Sequence, residues 1–278
     1  MRTFVAILVG LALVSTASAQ YTMIDDFEGY TLGSIHDQGG WQVQQNSSIL
    51  GDPGWVTVVD DGTGNQALQL VNRDTDGELD TIYAALDLDV SLSGQNTLKL
   101  TFRSNGPNDT LMGTNDLLPG WNYPDGQGQD AGWQGTTNYA QQAAIVVLKT
   151  DDVFRAYDFN TYRNTDVQYA PDANTWYDLY MVLDTDNNRT MYGIAPAGGT
   201  PQVVVNPDDG SWWWGDRDKS YDAVSNLKFF IGSQAEETVV QIDNIQYMSG
   251  VDPAVPEPAT LGLLALGVGG LALIRRRR

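Results

Sequence analysis

Few side chains in this chain could do chemistry at neutral pH, and the most conspicuous are three consecutive tryptophans. In an extended segment successive side chains point to opposite faces, so Trp212, Trp213 and Trp214 cannot all turn inward. At least one is expected at the surface, where an aromatic ring beside Asp and Asn acceptors can pack on the C–H face of a sugar. Trp121, Tyr123 and Trp133 stand in a second loop-like stretch and join them as glycan-binding candidates. The alternative is a loop that tucks its tryptophans against the edge of the body.

Carboxylates are the second possibility. Glu78-Leu79-Asp80 brings two acids close in sequence. Retaining glycosidases need two carboxyls about 5 Å apart, one able to protonate the leaving group. The other glutamates, Glu28, Glu236, Glu237 and Glu257, do not complete such a pattern, so a polar turn entering a strand is the competing reading. Asp25, Asp26 and Glu28 near one end and Asp243 near the other are candidate ligands for a structural calcium ion, which takes hard oxygen donors. Capping of strand ends by the same carboxylates is the alternative. Asp74-x-Asp76-x-Glu78-x-Asp80 and Asp184-x-Asp186-x-Asn188 lack the Gly and the closing Glu of a calcium-binding helix-loop-helix and read as turns.

Composition excludes much else. There is no cysteine and a single histidine, His36, which is expected in a surface turn. Most zinc sites, cysteine nucleophiles and Ser-His-Asp arrangements are thereby removed, as are disulfides. Neither a G-x-S-x-G nor a phosphate-binding G-x-x-x-x-G-K-[ST] run occurs. The formal charge is -20 for the chain and near -24 for residues 20–255, which disfavours nucleic acid and suits cations or polysaccharides bridged by cations.

The elements that must position these residues read as short strands separated by Gly, Asn, Asp and Pro. Thr97–Arg103 alternates Leu98, Leu100 and Phe102 against polar residues. Trp176–Asp184 has apolar residues on both faces and is expected at the centre of a sheet; Asp184-Thr185-Asp186-Asn187-Asn188 then turns the chain into Arg189–Ala195 as a hairpin. Further strands are expected at 55–60, 66–71, 81–86, 143–149, 154–159, 202–205, 227–231 and 239–248. Residues 105–141 and 206–226 are expected to be long, ordered, aromatic-bearing loops. The pattern predicts an all-β, antiparallel β-sandwich of the jelly-roll kind.

Both ends carry addresses. Arg2, the apolar run 4–14 and Ala17-Ser18-Ala19 fit a signal peptide over 1–19, cut between Ala19 and Gln20. The body is expected at 20–250 and a Pro-rich linker at 251–258. Residues 259–278 read as a hydrophobic membrane-spanning helix ending in four arginines, which the positive-inside tendency leaves in the cytoplasm. The order Pro256-Glu257-Pro258, apolar span and basic end resembles the PEP-CTERM sorting signal of Gram-negative-type bacteria. That resemblance implies recognition and cutting near Pro256-Glu257-Pro258 by an exosortase, and the company of extracellular polysaccharide and biofilm matrix. A plain tail anchor behind a rigid Pro linker is the alternative.

The body carries a second resemblance. Ile24-Asp25-Asp26-Phe27-Glu28-Gly29-Tyr30-Thr31-Leu32-Gly33 with Gly39-Gly40-Trp41, the strand from Thr175-Trp176-Tyr177, and Gln241-Ile242-Asp243-Asn244-Ile245 resemble the opening, a middle strand and the closing strand of concanavalin A-like (laminin-G-like) jelly rolls. Laminarinase-like enzymes of that group carry Glu-x-Asp-x-x-Glu; here Tyr83 stands at the third acidic place. The leading expectation is therefore an exported, noncatalytic surface or biofilm-matrix protein that binds glycan, passing through the inner membrane to the cell surface or matrix. A glycoside hydrolase or polysaccharide lyase on the same scaffold and a purely structural envelope protein are the alternatives.

Overall fold

The computed structural model describes residues 20–45, 56–72, 82–105, 110–115, 144–148, 154–158, 161–164, 171–216, 222–231 and 238–255. Among these described residues, two antiparallel sheets face each other across a shared hydrophobic core. The larger sheet holds ten strands: β1 (Thr22–Asp25), β2 (Gly33–Ser34), β4 (Val56–Asp60), β5 (Gln66–Asn72), β7 (Gln95–Ser104), β12 (Tyr177–Asp184), β13 (Arg189–Pro196), β14 (Gln202–Val203), β15 (Trp214–Gly215) and β17 (Thr238–Ser249). The smaller holds seven: β3 (Trp41–Gln45), β6 (Ile82–Leu92), β8 (Thr110–Asn115), β9 (Ile145–Leu148), β10 (Phe154–Asp158), β11 (Thr161–Asn164) and β16 (Val224–Ile231). This is the expected antiparallel β-sandwich.

Alternation explains the layers. On β7, Leu98, Leu100 and Phe102 are buried and Lys99, Thr101 and Arg103 are half-buried on the other face. Strand β12, buried along its whole length, sits between β7 and β13 as its two apolar faces require. Its Tyr177, Leu179, Met181 and Leu183 enter the main core with Trp41, Phe102 and Phe229. Its Tyr180 and Val182, on the opposite face, enter a separate cluster with Met191 and Val255.

The β12–β13 hairpin forms in the expected register, Asp184 opposite Arg189. Asn188 turns the chain with φ of 49°, a left-handed conformation that Asn tolerates. Asp184 closes the turn, accepting from Asn187 Nδ2 and Arg189 Nε, each at 2.9 Å. Burial alone would raise the Asp184 pKa, but the hydrogen bonds from Asn187, Arg189 and Gln95 outweigh it and hold the carboxyl below its usual value.

The first and last strands pair, Thr22 opposite Tyr247 and Met23 opposite Gln246. Strand β17 pairs along its other edge with β7 and bulges between Asp243 and Gln246, where Asn244 has φ of 51°.

Several boundaries differ from expectation. Strand β6 runs on to Leu92, because Asp87 and Asp89 interrupt its apolar pattern without ending its pairing. Strand β8 lies inside the stretch expected to be loop, paired to β16 and β9, and β15 lies inside the other. Residues 251–255, expected to begin a linker, pack on the sheet: Val255 is 1% exposed and Asp252 is buried. Among the described residues no helix is long and apolar enough to cross a membrane; the signal segment 1–19 and the tail 256–278 lie outside them.

Candidate functional site

The tryptophan run sits on a tightly built loop. Asn206 N–H donates to Ser211 O (2.8 Å), Gly210 N–H donates back to Asn206 O (2.9 Å), and the Asn206 side chain accepts from Asp208 N–H (3.0 Å). The loop is tied to the other sheet through Asp158 of β10, which accepts from Asn206 Nδ2 (3.1 Å) and Gly215 N–H (2.9 Å). Ser211 Oγ then accepts from Trp213 N–H at 3.0 Å. A backbone held this way presents its side chains with little freedom to rearrange.

The three rings part company. Trp214 is fully buried, edge-on to Tyr192 (6.2 Å between centroids), and its indole N–H donates to Val204 O at 2.9 Å. It has no face for a sugar, and its place among the glycan-binding candidates is corrected: pairing of β15 with β13 turns it into the core. Trp212 and Trp213 are half-buried and pack on the small outer cluster of Tyr180, Val182, Met191 and Val255. The Arg189 guanidinium lies over the Trp213 ring, 4.2 Å from its centroid, while also pairing with Asp184 at 2.9 Å. Asp208 and Asp209 are exposed beside them. Trp121, Tyr123 and Trp133 lie outside the described residues, as do Glu78 and Asp80.

The acidic residues near the two ends are brought together but are already engaged. Asp25 accepts from Phe27 N–H (2.8 Å), Tyr30 OH (2.7 Å) and Trp41 Nε1 (2.7 Å). It therefore organises the chain entry into the core. Burial, and then the hydrogen bond to Asp25, push the Tyr30 hydroxyl pKa well up. Asp26 caps the turn by accepting from Glu28 N–H, and Glu28 accepts from Gln66 N–H at 2.7 Å. Asp243 accepts from Asn244 N–H and Asn244 Nδ2 within the bulge, and from Asn65 Nδ2 between β4 and β5. Burial raises the Asp243 pKa, and the nearby charges of Glu28 and Asp26 add to it. Among the described residues no three acidic or histidine side chains are grouped to hold a metal ion. His36 is exposed in a turn, its Nδ1 accepting from Val43 N–H at 3.2 Å.

One functional-type group escaped sequence reading. Lys228 on β16 is 1% exposed, flanked in register by Ala85 and Gly113. Burial pushes its amine down to about 7. The alternation of Leu227 and Phe229 into the core placed Lys228 on the opposite face, but nothing in a single sequence shows that this face is covered.

Comparison with known proteins supports both halves of the chain separately. Residues 254–278 match the PEP-CTERM protein-sorting motif. No curated protein matches the sequence. Among solved structures, the catalytic domain of a glycoside hydrolase family 131 protein from Coprinopsis cinerea is similar at 10% identity and a TM-score of 0.50, covering 84% of this chain and 98% of that one. A sialidase aligns at 14% identity and a TM-score of 0.50 over 85% of this chain, which spans only 19% of the sialidase. The metal-free form of lectin I-B4 from Griffonia simplicifolia aligns at 12% identity and a TM-score of 0.47, covering 84% and 100% of the two chains. At such identities the likeness is one of fold. The chain thus carries a PEP-CTERM sorting tail, which marks an exported protein sorted to the cell envelope or surface, behind an antiparallel jelly-roll β-sandwich body.

Proposed function

We propose that this protein is a noncatalytic carbohydrate-binding component of the cell surface or biofilm matrix, delivered there after an exosortase-type enzyme removes its tail. The observation that carries the reading is the half-buried Trp212–Trp213 pair. Its rings stand on a hydrogen-bonded turn with exposed Asp208 and Asp209 alongside, the combination of apolar face and polar acceptors that sugar recognition uses. A glycan array probed with the body tests it: binding to at least one matrix polysaccharide, reduced by Trp212→Ala, is the expected result. No binding anywhere would favour a purely structural envelope protein.

The enzyme reading has one specific observation behind it. Burial pushes the Lys228 amine of β16, 1% exposed in the smaller sheet, down to about 7, and such an amine would serve as the base of a lyase only if this face opened to substrate. A reducing-sugar and unsaturated-product assay over a polysaccharide panel separates it from binding alone. Turnover lost in Lys228→Met or Glu78→Gln would replace the noncatalytic account.

A further inference from the structure

Both membrane-directed ends of the chain leave the body from one place. After β17 the chain does not depart from the rim of the sandwich but folds back over the outer face of the ten-stranded sheet. Gly250 N–H donates to Gln95 O (2.9 Å), Thr97 Oγ1 donates to Gly250 O (2.8 Å), and Asp252 N–H donates to Thr97 Oγ1 (2.9 Å). Asp252 Oδ1 accepts from Ala254 N–H at 2.7 Å, and Val255 drops among Tyr180, Val182 and Met191. The other end meets it there, because the hydroxyl of Tyr21, the second residue past the expected signal-peptide cut, donates to Asp252 Oδ2.

The exit point lies inside the sheet face. In the order β14-β13-β12-β7-β17-β5-β4-β2, strand β12 has two strands on one side and five on the other. At about 4.8 Å per strand, sheet extends roughly 10 Å and 24 Å to either side of it. Only Pro256–Thr260 separate Val255 from the apolar run beginning at Leu261. Five residues reach at most about 18 Å even when fully extended. A body tethered so briefly from within a face cannot swing that face away from the bilayer.

We infer that, in the unprocessed protein, the outer face of the ten-stranded sheet is a lipid-facing surface, and the opposite sheet is presented outward. The residues around the exit suit an interface. Met23, 46% exposed, lies in register with Gln246, Lys99 and Tyr180 across that face, and Trp212 and Trp213 flank the strap. Tryptophans are enriched at the membrane–water boundary. The same two rings are the proposed sugar platform, so the tethered precursor holds them toward lipid and processing frees them. The inference rests on the tail entering a membrane before it is cut.

The absence of cysteine makes the test clean. Full-length Met23→Cys, Ala254→Cys and Asp89→Cys variants, all at exposed positions, are labelled with one fluorophore each. They are then reconstituted into phosphatidylethanolamine and phosphatidylglycerol vesicles containing a headgroup quencher. Quenching several-fold stronger at positions 23 and 254 than at 89, on β6 of the other sheet, is expected. Equal quenching at all three in chains that float with the vesicles would overturn the orientation while leaving membrane anchoring intact. Chains that fail to float would overturn anchoring and the orientation with it, and in neither case would glycan binding by the body be affected.

Discussion

The two faces of the ten-stranded sheet are closed in different ways. Its inner face meets the second sheet, so Leu179, Met181 and Leu183 of β12 are covered by a whole layer of strands. Among the described residues, its outer face is covered at Tyr180, Val182 and Met191 by the strap 251–255, the tryptophan loop and Val203. A sheet-covered core is the cooperative heart of the fold. A core covered by a chain end and a loop has fewer strands to hold it closed, and it underlies the proposed tether and sugar platform. The same strand therefore supports the main core on one side and the proposed functional surface on the other.

Substitutions can break this contrast, beginning with the largest effect. Trp214→Ala should lower stability by about 3–5 kcal/mol, as removal of a buried Trp does, in denaturant melts of residues 20–255. Val255→Ala removes two methyl-sized groups from the outer cluster and should cost only about 1–2 kcal/mol. Protease sensitivity should increase around 250–255 while the rest of the body remains protected. A loss from Val255→Ala as large as that from Trp214→Ala would mean that the two clusters open together.

A pH series sharpens the same contrast from the smaller sheet. With the Lys228 amine at about 7 when folded against the usual 10.5, the unfolded chain holds the extra proton between those values. Stability should therefore rise with pH across that window, and Lys228→Met should flatten the rise. An unchanged slope would show that the amine is not held neutral by burial.

Calcium carries the smallest expected effect. Both Asp25 oxygens, both Asp243 oxygens and Glu28 Oε1 accept hydrogen bonds from protein donors, so melting in millimolar calcium and in chelator should agree within about 1 °C. A ligand present at a hundredfold excess over its Kd would add about 2.7 kcal/mol, and a rise of several degrees would restore the metal site.

Much of the fold was legible because alternation is a local signal. Strand β7 and the β12–β13 hairpin carry it over seven or more residues, with Asn188 to turn the chain. Strand β8, Thr-Leu-Met-Gly-Thr-Asn, does not: a Gly and mixed polarity read as loop, and only pairing on both edges makes it a strand. The strap was illegible for a related reason. Asp252 and Pro253 look like linker, and the burial of Val255 depends on Thr97 and Tyr180, more than seventy positions away. Within the tryptophan run, the alternation rule required that the rings separate, but which one entered the core was decided by the two-residue pairing of β15.

The central claim is that Trp212 and Trp213 form a sugar-binding surface rather than a structural plug. Paired measurements on Trp212→Ala, affinity for the polysaccharide found by the array and melting of the same sample, test it most directly. The account predicts affinity weakened by about 1–3 kcal/mol, the range of aromatic hot spots, with stability lowered far less than by Trp214→Ala. Unchanged affinity per folded molecule, with stability lowered as much as by Trp214→Ala, would contradict it.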